Sequence, residues 1–395
     1  MSGNTTPTVA PMLFIAGVFA IAGTSNIPMT SSAIANPTTS ELVPAQTVEL
    51  VAQTPDTPPI ETVFEFGPET PPGNIAIAPN GRIFMSLHGF YGQPLKMVEV
   101  NSDGSVTPYP TDAWANAPVG DGPGLSNVLG IRADRQGILW MLDSGGEEQS
   151  GRLVGWNTQT ETLHQVIYLA APVVGEGAFL NDLAIDREHE TIYITDTATP
   201  ETSALIVVDL VTGRARRVLA GSEFTRPEDL DMVIDGETVE LNGEAARIGA
   251  NPIAIDPSNT WLYFAPMSGL SMYRVRTADL RDESLSPEEL ADRVERYGDK
   301  PISDGSTVDG EGNVYITSIT DDSVGVVRPD GSYETLFQAD EMSWPDGFAF
   351  GPDGNIYVTI NELHRSPVLS DGENLSQGEF KIMRFESLAP GASGR

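Results

Sequence analysis

The sequence predicts an all-β chain folded as a six-bladed β-propeller, and three observations predict it. A short pattern of two alternating strands joined by a polar turn recurs six times. The copies are GNIAIAPNGRIFMSL from Gly73, LGIRADRQGILWMLD from Leu129, FLNDLAIDREHETIYITDTA from Phe179, NPIAIDPSNTWLYFAP from Asn251, DGSTVDGEGNVYITS from Asp304 and DGFAFGPDGNIYVTI from Asp346. Every second strand carries an aromatic at the same register: Phe84, Trp140, Tyr193, Tyr263, Tyr315 and Tyr357. These aromatics are 42 to 70 residues apart, near the roughly 40 to 50 residues of a four-stranded blade. One hairpin cannot bury its own apolar face, so six of them argue for a closed ring of stacked blades.

In chain order, residues 1–40 contain no charged side chain. Met12 to Gly23, MLFIAGVFAIAG, is an apolar run too short to span a bilayer comfortably as a helix. SSAIA follows, with Ala33 and Ala35 spaced as in a signal-peptidase site, although MSGNTTPTVA before it lacks Lys or Arg. Residues 1–35 are therefore expected to be an export signal, and the protein to be secreted or periplasmic. Residues 36–60 are Pro/Thr-rich and read as a linker, leaving 61–395 as the propeller. TVFEF, Thr62 to Phe66, alternates as a strand but precedes the first repeat. The last repeat is one strand short after KIMRFE, so TVFEF is expected to complete it and close the ring.

Later strands of each blade follow the repeat hairpin, as in RLVGWN then TLHQVIYL of blade 2 and SALIVVDL then RARRVL of blade 3. Two insertions break the rhythm. MVIDGETVEL, Met232 to Leu241, reads as an extra hairpin turning at Asp235-Gly236. Ser286-Pro287-Glu288-Glu289 is a capping box with Pro at the first helical position, and it predicts a short helix running to about Tyr297.

Composition narrows the chemistry. The 395 residues include no cysteine, which excludes disulfides, thiolate metal sites and thiol nucleophiles. The net charge is −34, and only three of the 22 basic residues are lysines. So acidic a surface repels nucleic acid and anionic membranes, and a small-molecule ligand is the expected partner. There is no G-x-S-x-G elbow, H-E-x-x-H, P-loop or G-x-G-x-x-G, and no organic cofactor is expected.

LNDLAID with YITDT, ALIVVDLVTGRARRVL, WLYFAPMSGLSMYRV, KPISDGSTVDGEGNVYIT and WPDGFAFGPDGNIYVTINELHR follow one another as in the major royal jelly and Yellow proteins, over roughly Glu61 to Glu386. The resemblance implies a secreted six-bladed propeller and either dopachrome-type isomerisation or the binding of small amines. The repeat also resembles gluconolactonase-type lactonases, whose calcium is held by residues at the starts of inner strands. That likeness carries onto Asn181 and Asp304 as metal ligands, while the lactonases' early Glu is replaced by Pro72-Gly73-Asn74.

Alternation sends the starts of the inner strands to one mouth of the channel: Asn181, Asn251, Asp304 and Asp346, with Asn127 or Asn74 joining them. Asp143, Asp196 and Asn361 end second strands on the same face. His88 and His364 end second strands in blades 1 and 6, which are neighbours in a closed ring. The expected roles are catalysis for Asp304, His88 and His364, and ligand binding for Asn127, Asn251, Asp346, Asp143, Asp196 and Asn361. Carboxylates and amides without thiolates suit calcium among metals. Three functions follow from this reading: a propeller that binds or also isomerises a small polar or aromatic molecule; a calcium-dependent lactonase; or a non-enzymatic binding or interaction protein.

Overall fold

A computed structural model of the protein describes residues 59–118, 122–146, 150–175 and 177–394. The expected export signal and nearly all of the linker lie outside these residues. Among them, six four-stranded antiparallel sheets form the blades. The inner strands, nearest the channel, are Pro72–Ile77, Val128–Ala133, Leu180–Asp186, Ala250–Ile255, Ser306–Val308 and Pro345–Phe350 for blades 1 to 6. Blade 6 closes as expected: Glu61–Phe66 pairs antiparallel with Phe380–Glu386, from Glu61 with Arg384 to Phe66 with Phe380, with one register shift between Thr62 and Phe64.

The six repeat aromatics are all buried, and several also bond to the turn that precedes them. Asp134 accepts hydrogen bonds from the Gln136 and Ile138 N–H groups with one oxygen and from the Trp140 indole with the other. Asp309 ties its turn to the Tyr315 hydroxyl, and Asp353 to that of Tyr357. A turn aspartate and a strand aromatic thus fix the register of each such hairpin together. The apolar core is divided into six clusters, one between each pair of neighbouring blades, for example Trp140 and Leu142 against Leu183 and Ile185 between blades 2 and 3. Stability is therefore a property of the closed ring, because each blade supplies half of two cores.

Two expectations are corrected. The capped helix is present, with the reciprocal Ser286–Glu289 capping box, but it spans only Pro287–Ala291. Residues up to Tyr297 were expected to continue it, but Glu295–Asp299 forms the outermost strand of blade 4, where Tyr297 packs on Tyr263. Completing a sheet satisfies more backbone than one further exposed turn of helix. The extra hairpin is in fact two, Val233–Ile234 with Glu237–Thr238 and Glu240–Leu241 with Glu244–Ala245.

The C-terminal segment lies across the lower end of the channel. After blade 6 the C-terminal segment runs under the ring: Tyr315 Oη accepts from the Leu388 N–H, and Pro390 O accepts from the Gly310 N–H. Ala392 and Gly394 then bound a cavity of about 30 Å³ together with Ala76, Arg132, Ala184, Ala254, Thr307 and Ala349, room for at most about two waters.

Candidate active site at the upper channel mouth

Each inner strand enters its sheet through an irregularity. In five blades the register slips between the first residue and the fourth, as from Leu180 to Leu183 and from Pro345 to Phe348. Such bulges re-aim side chains, and here they turn two residues per blade toward the channel. In blades 1, 3 and 6 a serine or threonine two residues after the repeat aromatic holds the bulge, and in blade 5, where the pairing shows no slip, a threonine at that position binds the approach to the inner strand. Ser86 accepts from Asn74 N–H, Thr195 from Asp182 N–H, Thr317 from Asp304 and Gly305 N–H, and Thr359 from Gly347 N–H. Three of these hydroxyls also donate to the inner strand of the next blade: Ser86 to Leu129 O (2.8 Å), Thr195 to Asn251 O (3.0 Å) and Thr359 to Gly73 O (2.7 Å). The mouth is thus a ring of interlocked backbones. The approach is close enough to require glycine: a Cβ on Gly347 would stand 2.5 Å from Asn74 Oδ1, and one on Gly130 2.6 Å from Asn181 O.

Asp304, Asp346 and Asn251 converge there as expected. Asp304 is buried. Its Oδ1 accepts from Asn251 Nδ2 at 2.8 Å and its Oδ2 from the Trp344 indole at 2.7 Å. Burial lifts its pKa to about 6, against these two stabilising bonds. Asp346 accepts from Asn361 Nδ2 at 2.9 Å and keeps partial solvent exposure. Burial of its charge, with Asp304 and then Asp182 nearby, holds its carboxyl well above the usual range. Lys300 pins the loop that delivers Asp304: its buried ammonium donates to Gly269 O, Pro301 O, Ser303 Oγ and Met267 O.

Three residues of the mouth were not singled out as site residues from the sequence. Asp182, next to the expected Asn181, is buried and salt-bridged to Arg132 at 2.7 Å. Arg132 rises through the channel and also donates to Asn74 Oδ1 at 2.7 Å and to Ile131 O at 2.8 Å. Burial still raises the Asp182 pKa, with Arg132 opposing. A signal for Arg132 existed: the middle of the inner strand is Ala76, Ala184, Ala254 and Ala349 in four blades, and only blade 2 places a charge there. Trp344 is the third. It adopts a left-handed backbone (φ 55°), a costly conformation for a bulky residue, and that conformation accompanies an indole directed at Asp304.

The remaining expected residues stand elsewhere. Asp143 is fully buried and spent on structure, accepting from the N–H groups of Ser126, Asn127 and Gly145 and from Arg152. Asp196 does the same with Phe179 N–H, Ala198 N–H and Arg217. A carboxylate at the end of a second strand is drawn to unpaired backbone N–H groups, which is why neither faces the channel. His88 is buried as the cap of a short turn, Nδ1 accepting from Phe90 N–H. Burial depresses its pKa to about 3, so it is neutral and remote from the acid pair in its bonding. Asn127 packs against Gly89 at the rim, and Asn181 is half-buried there. His364 lies one layer behind the mouth, stacked on Trp344 with ring centroids 6.0 Å apart, its Nε2 3.3 Å from Asp235 Oδ2. Burial and Arg365 lower its pKa. Asp235 belongs to the first inserted hairpin and also accepts from Arg365 at 2.7 Å. With Met232, Ile234 and Val239 in the apolar cluster of Met267, Ile302, Trp344 and Leu363, the insertion extends over the upper face from blade 4 to blade 6.

The expected calcium finds a poor donor set. Both Asp304 oxygens are taken by N–H donors, Asp182 is paired with Arg132, and a guanidinium already stands in the channel. Among the described residues no three His, Asp or Glu side chains are grouped to hold a metal ion.

Comparison with known proteins agrees with the architecture. Solved structures with the same fold include a putative gluconolactonase (TM-score 0.53, 14% identity, 88% of this chain and 98% of that one). Another is regucalcin from Agrobacterium tumefaciens, described as a calcium-binding protein (TM-score 0.53, 17% identity, 85% of this chain and 99% of that one). At such identities the likeness is one of fold. Major royal jelly protein 3 of Apis mellifera is 22% identical over 340 residues, covering 76% of this chain and 60% of that protein, so the chain spans less than two thirds of this relative's length. The family profile described as "Major royal jelly protein" matches residues 126–386, from the start of blade 2 to the last strand of blade 6, and the chain belongs to the major royal jelly protein family.

Proposed function

We propose that the protein binds a small, amine-bearing polar or aromatic molecule at the upper channel mouth, with Asp346 as its charge partner and Trp344 as its apolar wall. One observation carries this reading: three carboxyls, Asp182, Asp304 and Asp346, share the mouth with one guanidinium among the described residues, Arg132. Two like charges in a poorly hydrated space leave one carboxyl protonated until a cation arrives. An ammonium docking on Asp346 takes the place of that proton, which leaves to solvent. Asp346 suits this role because Asn361 is its one protein hydrogen-bond donor among the described residues, whereas Asp304 and Asp182 are held by two or more.

The same pair supports a proton-shift reaction as a second reading. Neighbouring carboxyls held at different protonation supply an acid and a base within one site, as a dopachrome-type isomerisation needs. Export rests on residues 12–35 of the sequence and belongs to this proposal as well. No helix among the described residues is long and apolar enough to cross a membrane.

Calorimetric titration with tyramine, and with 4-hydroxyphenylacetate as the matched anion, tests the binding reading. We expect heat from the amine alone, proton release detectable as a buffer-dependent enthalpy, and loss of binding in Asp346→Asn. Equal binding of the anion, or amine binding unchanged in Asp346→Asn, would overturn it. Absorbance of dopachrome, followed with wild type and Asp304→Asn, tests turnover.

A further inference from the structure

The outer edges of the six blades are not alike. Natural sheets blunt their exposed edges with charge, shortness or bulges, since an unblunted edge pairs with other chains. Four outermost strands here carry charge: Ala215–Val218 has two arginines, Glu295–Asp299 has Glu, Arg and Asp, Tyr333–Gln338 has Glu334, and Glu61–Phe66 has two glutamates. Blade 1 ends on a three-residue strand, Val106–Pro108. Blade 2 ends on Thr162–Leu169, TLHQVIYL, eight residues with no Asp, Glu, Lys or Arg. Its outward backbone groups bond to no other element among the described residues. The uncharged stretch continues through Ala170 to Gly175.

This edge also displays apolar side chains. Leu163 is 45% exposed and Tyr168 66%. A register slip makes His164 an extra residue: Leu163 pairs with Trp156, Gln165 with Gly155, and Tyr168 with Arg152. Trp156 and Arg152 are four residues apart on one strand and so share a face, and Leu163 and Tyr168 therefore share one too.

We propose that this edge pairs with the same edge of a second copy, antiparallel about a two-fold axis near Val166. That axis sets Leu163 of one chain beside Tyr168 of the other on a common face, a self-complementary arrangement of the kind a two-fold dimer requires. Charge selects the occupant. At −34 two copies repel over most of their surfaces, and the blade 2 edge is the long edge strand on which they meet without like charges opposed.

Sedimentation velocity of the full chain at micromolar concentration and about 0.15 M salt, where charges are screened beyond about 8 Å, tests this. The expected result is a species of twice the chain's mass that reverts to the single-chain mass in Leu163→Lys and Tyr168→Lys, singly and together, with unchanged melting temperatures. Leu375→Lys, an exposed apolar residue on blade 6, should leave the dimer intact. A wild-type protein that sediments as a single chain throughout would overturn the proposal. So would a dimer indifferent to both lysines, or one that Leu375→Lys dissolves equally.

Discussion

Replacing Asp304 by asparagine should make the protein more stable at pH 8 and leave it unchanged at pH 4. The geometry permits the exchange. The Trp344 indole can donate to the new amide oxygen, and the new amide can donate to Asn251 once that side chain turns over. The electrostatics give the size. Burial holds the Asp304 pKa at about 6 in the folded chain against 3.8 for the ordinary side chain. A folded pKa raised above the unfolded one means that the neutral carboxyl's contribution is complete below pH 3.8 and is lost as pH rises through about 6. At 1.36 kcal/mol per pKa unit the loss approaches about 3 kcal/mol, and relaxation of the neighbouring Asp346 proton reduces it. Asparagine never incurs it. Paired thermal melts of wild type and Asp304→Asn between pH 4 and pH 8 should therefore converge at the acid end and separate by a few degrees at the other. A variant less stable than wild type at pH 8 would refute the reasoning, because Asp304 would then be an ionised group with a cationic partner. A calcium-dependent rise in the wild-type melting temperature that Asp304→Asn abolishes would refute it in the same way and name the cation.

Arg132→Met should cost about 3–5 kcal/mol at pH 8 by leaving the Asp182 carboxylate buried and unpaired, and adding Asp182→Asn should recover most of it; melts of the single and double variants check both. Deleting Glu61–Phe66 opens the ring and strips one strand from blade 6, so it should cost several kcal/mol and yield aggregation on size exclusion rather than a smaller stable monomer.

The architecture was legible because it is written in repetition. An aromatic, a turn and a glycine mean little once, but six copies at blade-length intervals leave few alternatives, and the unpaired TVFEF told where the ring closes. The mouth was legible where a polar residue stands within two residues of the start of the inner strand, as Asn251, Asp304 and Asp346 do. It was opaque where identity depends on three-dimensional competition. Asp143 and Asp196 carry the same side chain as Asp346, yet strand-end N–H groups and an arginine claim them. Asp182 was passed over for Asn181 because a bulge moves the inward direction by one residue, which alternation alone does not show. Arg132 belongs to no recognisable motif, although the alanines at its register in four other blades mark the channel wall. The helix that stopped at Ala291 was misjudged for a related reason: a fourth strand was owed to blade 4, and propensity does not count strands.

Joining Glu61–Phe66 to Phe380–Glu386 also sets when the molecule can be finished. A chain grows from its first residue, and the closing strand is among the first of the propeller to be made, while its partner is among the last. Throughout synthesis the nascent ring has an unsatisfied strand at one end and a bare apolar blade face at the other, so no length of chain short of almost the whole is a completed domain. Blades 1 to 5 can form in turn, but the final core between blades 6 and 1 waits for Phe380–Glu386 to be made. A holding chaperone that shields open sheet edges would therefore serve this protein longest at its two ends, and a chain truncated before Phe380 would remain its client.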